Sequence, residues 1–184
     1  MTGQRTTGLL VGLGNRDRGD DAVGPMVAVL VAERLNALRD SAQRDGGDVP
    51  LVRVVEQEDP AALLDLWAEV DLAVVVDAVR AGRAPGHILV LRTGAAADPL
   101  PAEPWAAAGR QGTHALGLAC AVELSRALGR LPPQLAIVGV EAEGFALGAE
   151  LSPPVARAVP AAAGTAWALL TESGDHPAPS CPAL

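Results

Sequence analysis

Aromatic side chains are scarce in this chain: its 184 residues include one Phe, three Trp and no Tyr. The core therefore has to be aliphatic. Cysteine is equally short. Cys120 and Cys181 are the two present, and neither has a second Cys or a His at a metal-ligand spacing, which excludes a disulfide framework. Cys120 sits in an apolar helical stretch and reads as core; Cys181 reads as an exposed, dispensable thiol in a Pro-rich tail. Positive charge is in deficit, with 14 basic against 22 acidic residues and a net charge of −8. That excludes the basic footprint of a nucleic-acid binder and attraction to anionic lipid. No apolar run approaches the ~18 residues that span a bilayer. Met1 to Thr7 is polar and the apolar run after it is only a strand long, so no signal peptide is read and a cytoplasmic protein is expected.

What is there is Ala, Val, Leu and Gly, in a length suited to one domain, which buries about 70% of its unfolded surface. Strands are read at Gly8–Leu13, Leu51–Val55, Leu72–Asp77, His87–Leu91 and Leu135–Val140. Leu72-Ala-Val-Val-Val-Asp77 has no polar alternation and reads as a central strand covered on both faces. Val23, Val27, Leu30, Val31, Leu35 and Leu38 recur at helical spacing after Gly24-Pro25, a suitable helix start. Pro60 to Trp67 reads as a short second helix. Leu116, Cys120, Leu124, Ala127 and Leu128 line one face of a third, with Thr113 as its N-cap. A last helix runs from Ser152-Pro153-Pro154 through Leu170, with Pro160 expected to kink or interrupt it.

Alternating strands and helices make this an α/β chain, a three-layer αβα sandwich around a mostly parallel twisted sheet of about five strands. Too few residues separate Asp77 from His87 for a crossover helix. Those two strands are expected to pair as an antiparallel hairpin, supplying the one antiparallel strand. Asp40–Pro50 reads as a surface connection, Thr93–Gly112 as a long loop of the functional kind, and residues 173–184 as a disordered Pro-rich tail beyond a domain of residues 1–172.

The densest signal lies in residues 10–25, Leu-Val-Gly-Leu-Gly-Asn-Arg-Asp-Arg-Gly-Asp-Asp-Ala-Val-Gly-Pro. A Gly-x-Gly turn after a strand suits either a tight turn or a dinucleotide loop. The dinucleotide fingerprint needs a third glycine where Asp17 stands, and Asp17, Asp20 and Asp21 would repel a pyrophosphate. Asp20 can act as a helix N-cap, which leaves Asp21 without that explanation. Open α/β sheets bind ligands at the carboxyl ends of their strands. Asp21 follows the first strand there, Asp77 ends the third, and His114 opens the helix after the long loop. If the first and third strands are neighbours, the two carboxylates converge and the loop can bring His114 over them. Two oxygens and one nitrogen suit a divalent transition metal. The bland alternatives are a capping or Arg-paired carboxylate, with Arg16 or Arg80 available to Asp77, and an exposed helix-end histidine. His87 and His176 carry little.

Up to about Leu170 the chain resembles the maturation endopeptidases of nickel–iron hydrogenases. The resemblance rests on Gly12-Leu-Gly-Asn15 with Gly19-Asp-Asp-Ala-Val-Gly24, on Val75-Val-Asp77-Ala78 with Pro85-Gly86, on Thr113-His114-Ala-Leu-Gly-Leu118, on Val138-Gly-Val-Glu141 and on Leu151-Ser-Pro153. It implies metal-binding positions at Asp21, Asp77 and His114, where Asp21 stands for the Glu of some members and Ala22 for the more usual Gly. It implies an endopeptidase that removes the C-terminal extension of the hydrogenase large-subunit precursor. Cleavage would be directed by nickel that the substrate supplies rather than by a resident catalytic zinc. A non-catalytic nickel-sensing factor of the same fold is the alternative, and a partner-docking module built on the Thr93–Gly112 loop with Trp105 as anchor is compatible with either. No Gly-x-Ser-x-Gly or Cys/His grouping offers a nucleophilic route, and nothing in the sequence demands more than a monomer.

Overall fold

The computed structural model describes residues 7–98 and 117–171. Five strands, β1 (Gly8–Leu13), β2 (Val52–Gln57), β3 (Leu72–Val79), β4 (Ile88–Thr93) and β5 (Gln134–Glu141), form one sheet in the order β2-β1-β3-β5-β4. The helices are α1 (Val23–Asp45), α2 (Leu63–Leu66), α3 (Leu118–Ala127) and α4 (Pro153–Thr171). β1 runs parallel to β2 and to β3, and β3 parallel to β5. β3 is buried along its whole length, as an unbroken apolar strand between two helical layers should be. Alternate residues feed two cores. Leu10, Val74, Val76 and Val138 pack with α1 and α4, whereas Leu9, Val11, Val75 and Ile137 pack with Leu63, Trp67 and α3. No helix among the described residues is long and apolar enough to cross a membrane.

The antiparallel strand is β4, but it pairs with β5 and not with β3. The short β3–β4 connection dictates direction without dictating adjacency. β5 is buried at every residue after Gln134 and takes the place beside β3, while β4, partly exposed along its length, serves as the edge. The expected hairpin is therefore corrected to two strands separated by a third.

Three further expectations change. α1 continues through Asp45, so Asp40–Pro50 is not wholly a connection. Its last turns are a solvated polar helix that stops where Gly46 takes a left-handed conformation, φ 74°, and donates to the Ala42 carbonyl at 2.8 Å. α3 buries Leu118, Ala119, Ala121, Val122 and Ser125, whereas Cys120, Leu124 and Leu128 are exposed. Small residues line its inner face because Trp67, fully buried, needs the room. The Trp67 indole N–H donates to Ser125 Oγ at 3.1 Å, and that hydroxyl donates to the Ala121 carbonyl at 2.7 Å. The cap of α3 is Gly117, while Thr113 and Leu116 lie outside the described residues. Pro160 does not interrupt α4. Both Pro160 and Ala156 face solvent, so the carbonyl left without an N–H partner is open to water. The Pro60–Trp67 helix is present as a 3-10 turn over Pro60–Ala62 followed by α2, and the Asp59 carboxylate caps it by accepting from the Ala61 N–H at 2.9 Å.

Candidate functional site

β1 ends at Leu13, and the chain crosses Gly14 to Arg18 into a 3-10 turn, Gly19–Ala22, that runs on into α1. Two glycines let these pieces meet. A Cβ on Gly24 would lie 2.2 Å from the Leu13 carbonyl oxygen and 2.6 Å from that of Val76, so the start of α1 is pressed against the ends of β1 and β3. Gly14 has φ +134°, and a Cβ there would come within 2.0 Å of the Asp21 carbonyl oxygen. Only glycine fits at either position.

This packing sets Asp21 over the end of β1. Its side chain is 6% exposed, and one carboxylate oxygen accepts the Asn15 backbone N–H at 3.0 Å. Asp77 is 5% exposed and ends the fully apolar part of the neighbouring strand β3. Val76 is in register with Gly12 and Asp77 with Gly139. By strand parity Asp77 shares the face of Val75 and Val79, residues of the core that α3 covers. Asp77 thus lies in the strand next to β1, and the turn that carries Asp21 follows the end of β1. His114 precedes α3 in the chain and lies outside the described residues. Among the described residues no group of three or more His, Cys, Asp or Glu could hold a metal ion. The oxygen half of the donor set fits a divalent transition ion in kind, as two buried groups that only accept when ionised.

Asp20 does something the sequence does not disclose. Its carboxylate, 1% exposed, makes no helix cap. It accepts instead from the backbone N–H groups of Glu143 at 2.7 Å, Gly144 at 3.0 Å and Ser152 at 2.7 Å, and from Ser152 Oγ at 3.0 Å. Two neighbouring acids avoid mutual repulsion because each faces its own set of donors. Glu141, buried at the end of β5, plays a similar part. Its carboxylate accepts from the N–H groups of Ala81 at 2.8 Å and Gly82 at 3.1 Å, fixing the turn that follows β3. No local pattern marks either acid for these tasks, since the partners lie far along the chain.

The rim is laced as well to β2, the sheet's other edge strand, and to the residue just after it. Asn15 Nδ2 donates to Glu58 Oε2 at 3.0 Å, and Arg16 makes a two-pronged contact with Glu56, Nε to Oε2 at 2.8 Å and Nη2 to Oε1 at 2.7 Å. The hydrogen bond to Arg16 holds the Glu56 carboxyl below its ordinary range, and the same bond raises the guanidinium further. Arg80 lies over the Phe145 ring at 5.0 Å. His87 is exposed just before β4.

Comparison with known proteins agrees with this fold. A family model described as HycI, hydrogenase maturation protease, matches residues 57–168. That span contains Asp77 and His114, and Asp21 lies before it. The chain is 31% identical over 177 residues to the hydrogenase expression/formation protein HupM of Azotobacter chroococcum mcd 1, covering 95% of this chain and 76% of that protein. Among solved structures it is similar to the hydrogenase maturating endopeptidase HybD from E. coli, with TM-score 0.66, 27% identity and coverage of 92% and 94% of the two chains. It is also similar to the [NiFe] hydrogenase maturation protease HycI from Thermococcus kodakarensis KOD1, with TM-score 0.61, 26% identity and coverage of 91% and 94%.

Proposed function

The chain belongs to the hydrogenase maturation protease family and is a hydrolase, an endopeptidase of hydrogenase maturation, and on that premise we propose that it cuts a C-terminal extension from a nickel-loaded hydrogenase large-subunit precursor. The observation that carries this reading is the burial of two carboxylates, Asp21 in the turn after β1 and Asp77 in the neighbouring strand β3. Both side chains are nearly excluded from water, where a carboxylate is stable only among hydrogen-bond donors or with a cation, and a divalent ion delivered by the substrate suits such oxygens.

In this reading Asp21 and Asp77 supply oxygen ligands and His114 a nitrogen ligand to the metal that the substrate brings. The ion belongs to the substrate, so its arrival fixes the precursor's orientation, and positioning supplies much of the rate. Bound there, a divalent metal would polarise a carbonyl or lower the pKa of water. The chain's own residues do the holding. Asn15 N–H keeps one Asp21 oxygen in place, and Gly14 and Gly24 allow the strand ends and helix start to close around the site.

The test is incubation of the protein with nickel-loaded precursor, followed by intact-mass measurement of the large subunit. Loss of the extension is expected with wild type, and none with Asp77→Asn, whose circular dichroism should match wild type. An unchanged mass with wild type refutes the protease reading, and normal cutting by Asp77→Asn removes that residue from the site.

A further inference from the structure

Beside the rim, the segment between β5 and α4 reads Glu143-Gly-Phe-Ala-Leu-Gly-Ala-Glu150. Uncharged residues fill its middle, and exposed Glu143 and Glu150 flank them. Phe145 turns inward against the α1/α4 core, with Arg80 over its ring. Leu147 turns outward and is 82% exposed, the most exposed large hydrophobic side chain among the described residues. A mobile apolar loop could fold such a side chain back onto the body of the protein. This loop is held out. The Gly148 N–H donates to the Asp17 carbonyl at 2.7 Å, the Gly19 N–H to Ala149 at 3.0 Å, and the Asp20 N–H to Gly144 at 3.0 Å. The Asp20 carboxylate adds its bonds to residues 143, 144 and 152.

We propose that Leu147 is the anchor on which the precursor protein docks, and that Asp20 fixes this anchor at a set offset from Asp21. The proposal rests on the protease reading for the identity of the partner. The segments 17–20 and 143–152 are sewn into one piece, and Asp21 is the next residue of that piece. Leu147 is therefore carried on the same tied piece of chain as Asp21, next to the place where the substrate would be cut. A loop already fixed by backbone bonds pays little ordering cost on binding, which favours an anchor role for the apolar side chain it presents. Glu143 and Glu150 on either side of it call for an apolar recess with a basic margin on the partner.

The experiment measures binding of nickel-loaded precursor to the immobilised full chain by interferometry, for wild type, Leu147→Ala, Leu147→Glu and Leu147→Met. Kd should rise severalfold for Ala and about tenfold or more for Glu, and stay near wild type for Met. Melting temperatures should not move, because Leu147 packs against almost nothing. A Kd for Leu147→Glu equal to that of wild type overturns the proposal. So does a self-associating wild type that Leu147→Glu renders monomeric with precursor affinity intact, which would assign the residue to a contact between copies. Cutting is scored separately by mass. Wild type that binds without cutting refutes the protease reading, while the Kd series still decides the docking role.

Discussion

Replacing Asp20 by Ala removes an acceptor that serves three backbone N–H groups and one hydroxyl, at 2.7 to 3.0 Å. Hydrogen bonds to a charged group contribute about 1.5–3 kcal/mol each, and a buried donor left unpaired costs about 1–3 kcal/mol. The losses do not add, because water enters the vacated space and the loop relaxes. A destabilisation of about 3–4 kcal/mol is expected, from the upper range for single substitutions. For a domain of this size that lowers Tm by about 6–16 °C. Asp20→Asn keeps one oxygen, able to serve Glu143, Gly144 and Ser152 Oγ, but turns an amide NH2 toward the Ser152 N–H, and should cost about 1–2 kcal/mol. Ser152→Ala loses only the hydroxyl bond and should cost about 0.5–1.5 kcal/mol. Urea unfolding followed by tryptophan fluorescence reads all three, with Trp67 as the buried reporter. A cost below about 1 kcal/mol for Asp20→Ala, or an Asn variant no better than Ala, would refute the clamp.

Other substitutions separate tight packing from surface pairing. Gly24→Ala should cost at least about 3 kcal/mol, since its methyl group meets two backbone carbonyl oxygens that cannot swing aside; a Tm within about 2 °C of wild type would contradict the close approach. Glu56→Gln should cost less than about 1 kcal/mol, because the pair with Arg16 is nearly half exposed. Since the folded-state pKa of Glu56 is depressed, its contribution is present above the unfolded carboxylate pKa and fades as pH falls through the folded value. Wild type and Glu56→Gln should therefore converge in stability in acid, as urea midpoints across pH will check. Removing residues 173–184 should leave cleavage of the precursor unchanged by the same mass assay.

Unbroken runs such as Leu72–Val76 gave away the strands, because a buried parallel strand has no polar face to blur its pattern. The burial of Asp77 was legible for a related reason: a carboxylate at the end of an apolar run stands out against it. The order of the last two strands was not legible, since a short connection constrains direction and says nothing of an intervening strand that arrives later in the chain. The inner face of α3 was misread because Leu124 and Leu128 outweigh Ala121 and Ser125 on any hydrophobicity pattern. Bulk of the neighbour decides instead, and Trp67 demands small partners. Asp20 looked like a cap, as an acid before a helix usually does, and its true donors lie in the loop ahead of α4. Leu147 shows no periodicity at all; only the backbone bonds that hold its loop outward distinguish it.

Two acids and an imidazole from distant parts of the chain, Asp21, Asp77 and His114, are proposed to share one ion. Anomalous diffraction at the nickel edge, from crystals soaked in a nickel salt, tests it most directly. A single peak is expected about 2.0–2.2 Å from oxygens of Asp21 and Asp77 and a ring nitrogen of His114. A peak elsewhere, or a His114 ring more than about 10 Å from both carboxylates, several times any coordination bond, would contradict it.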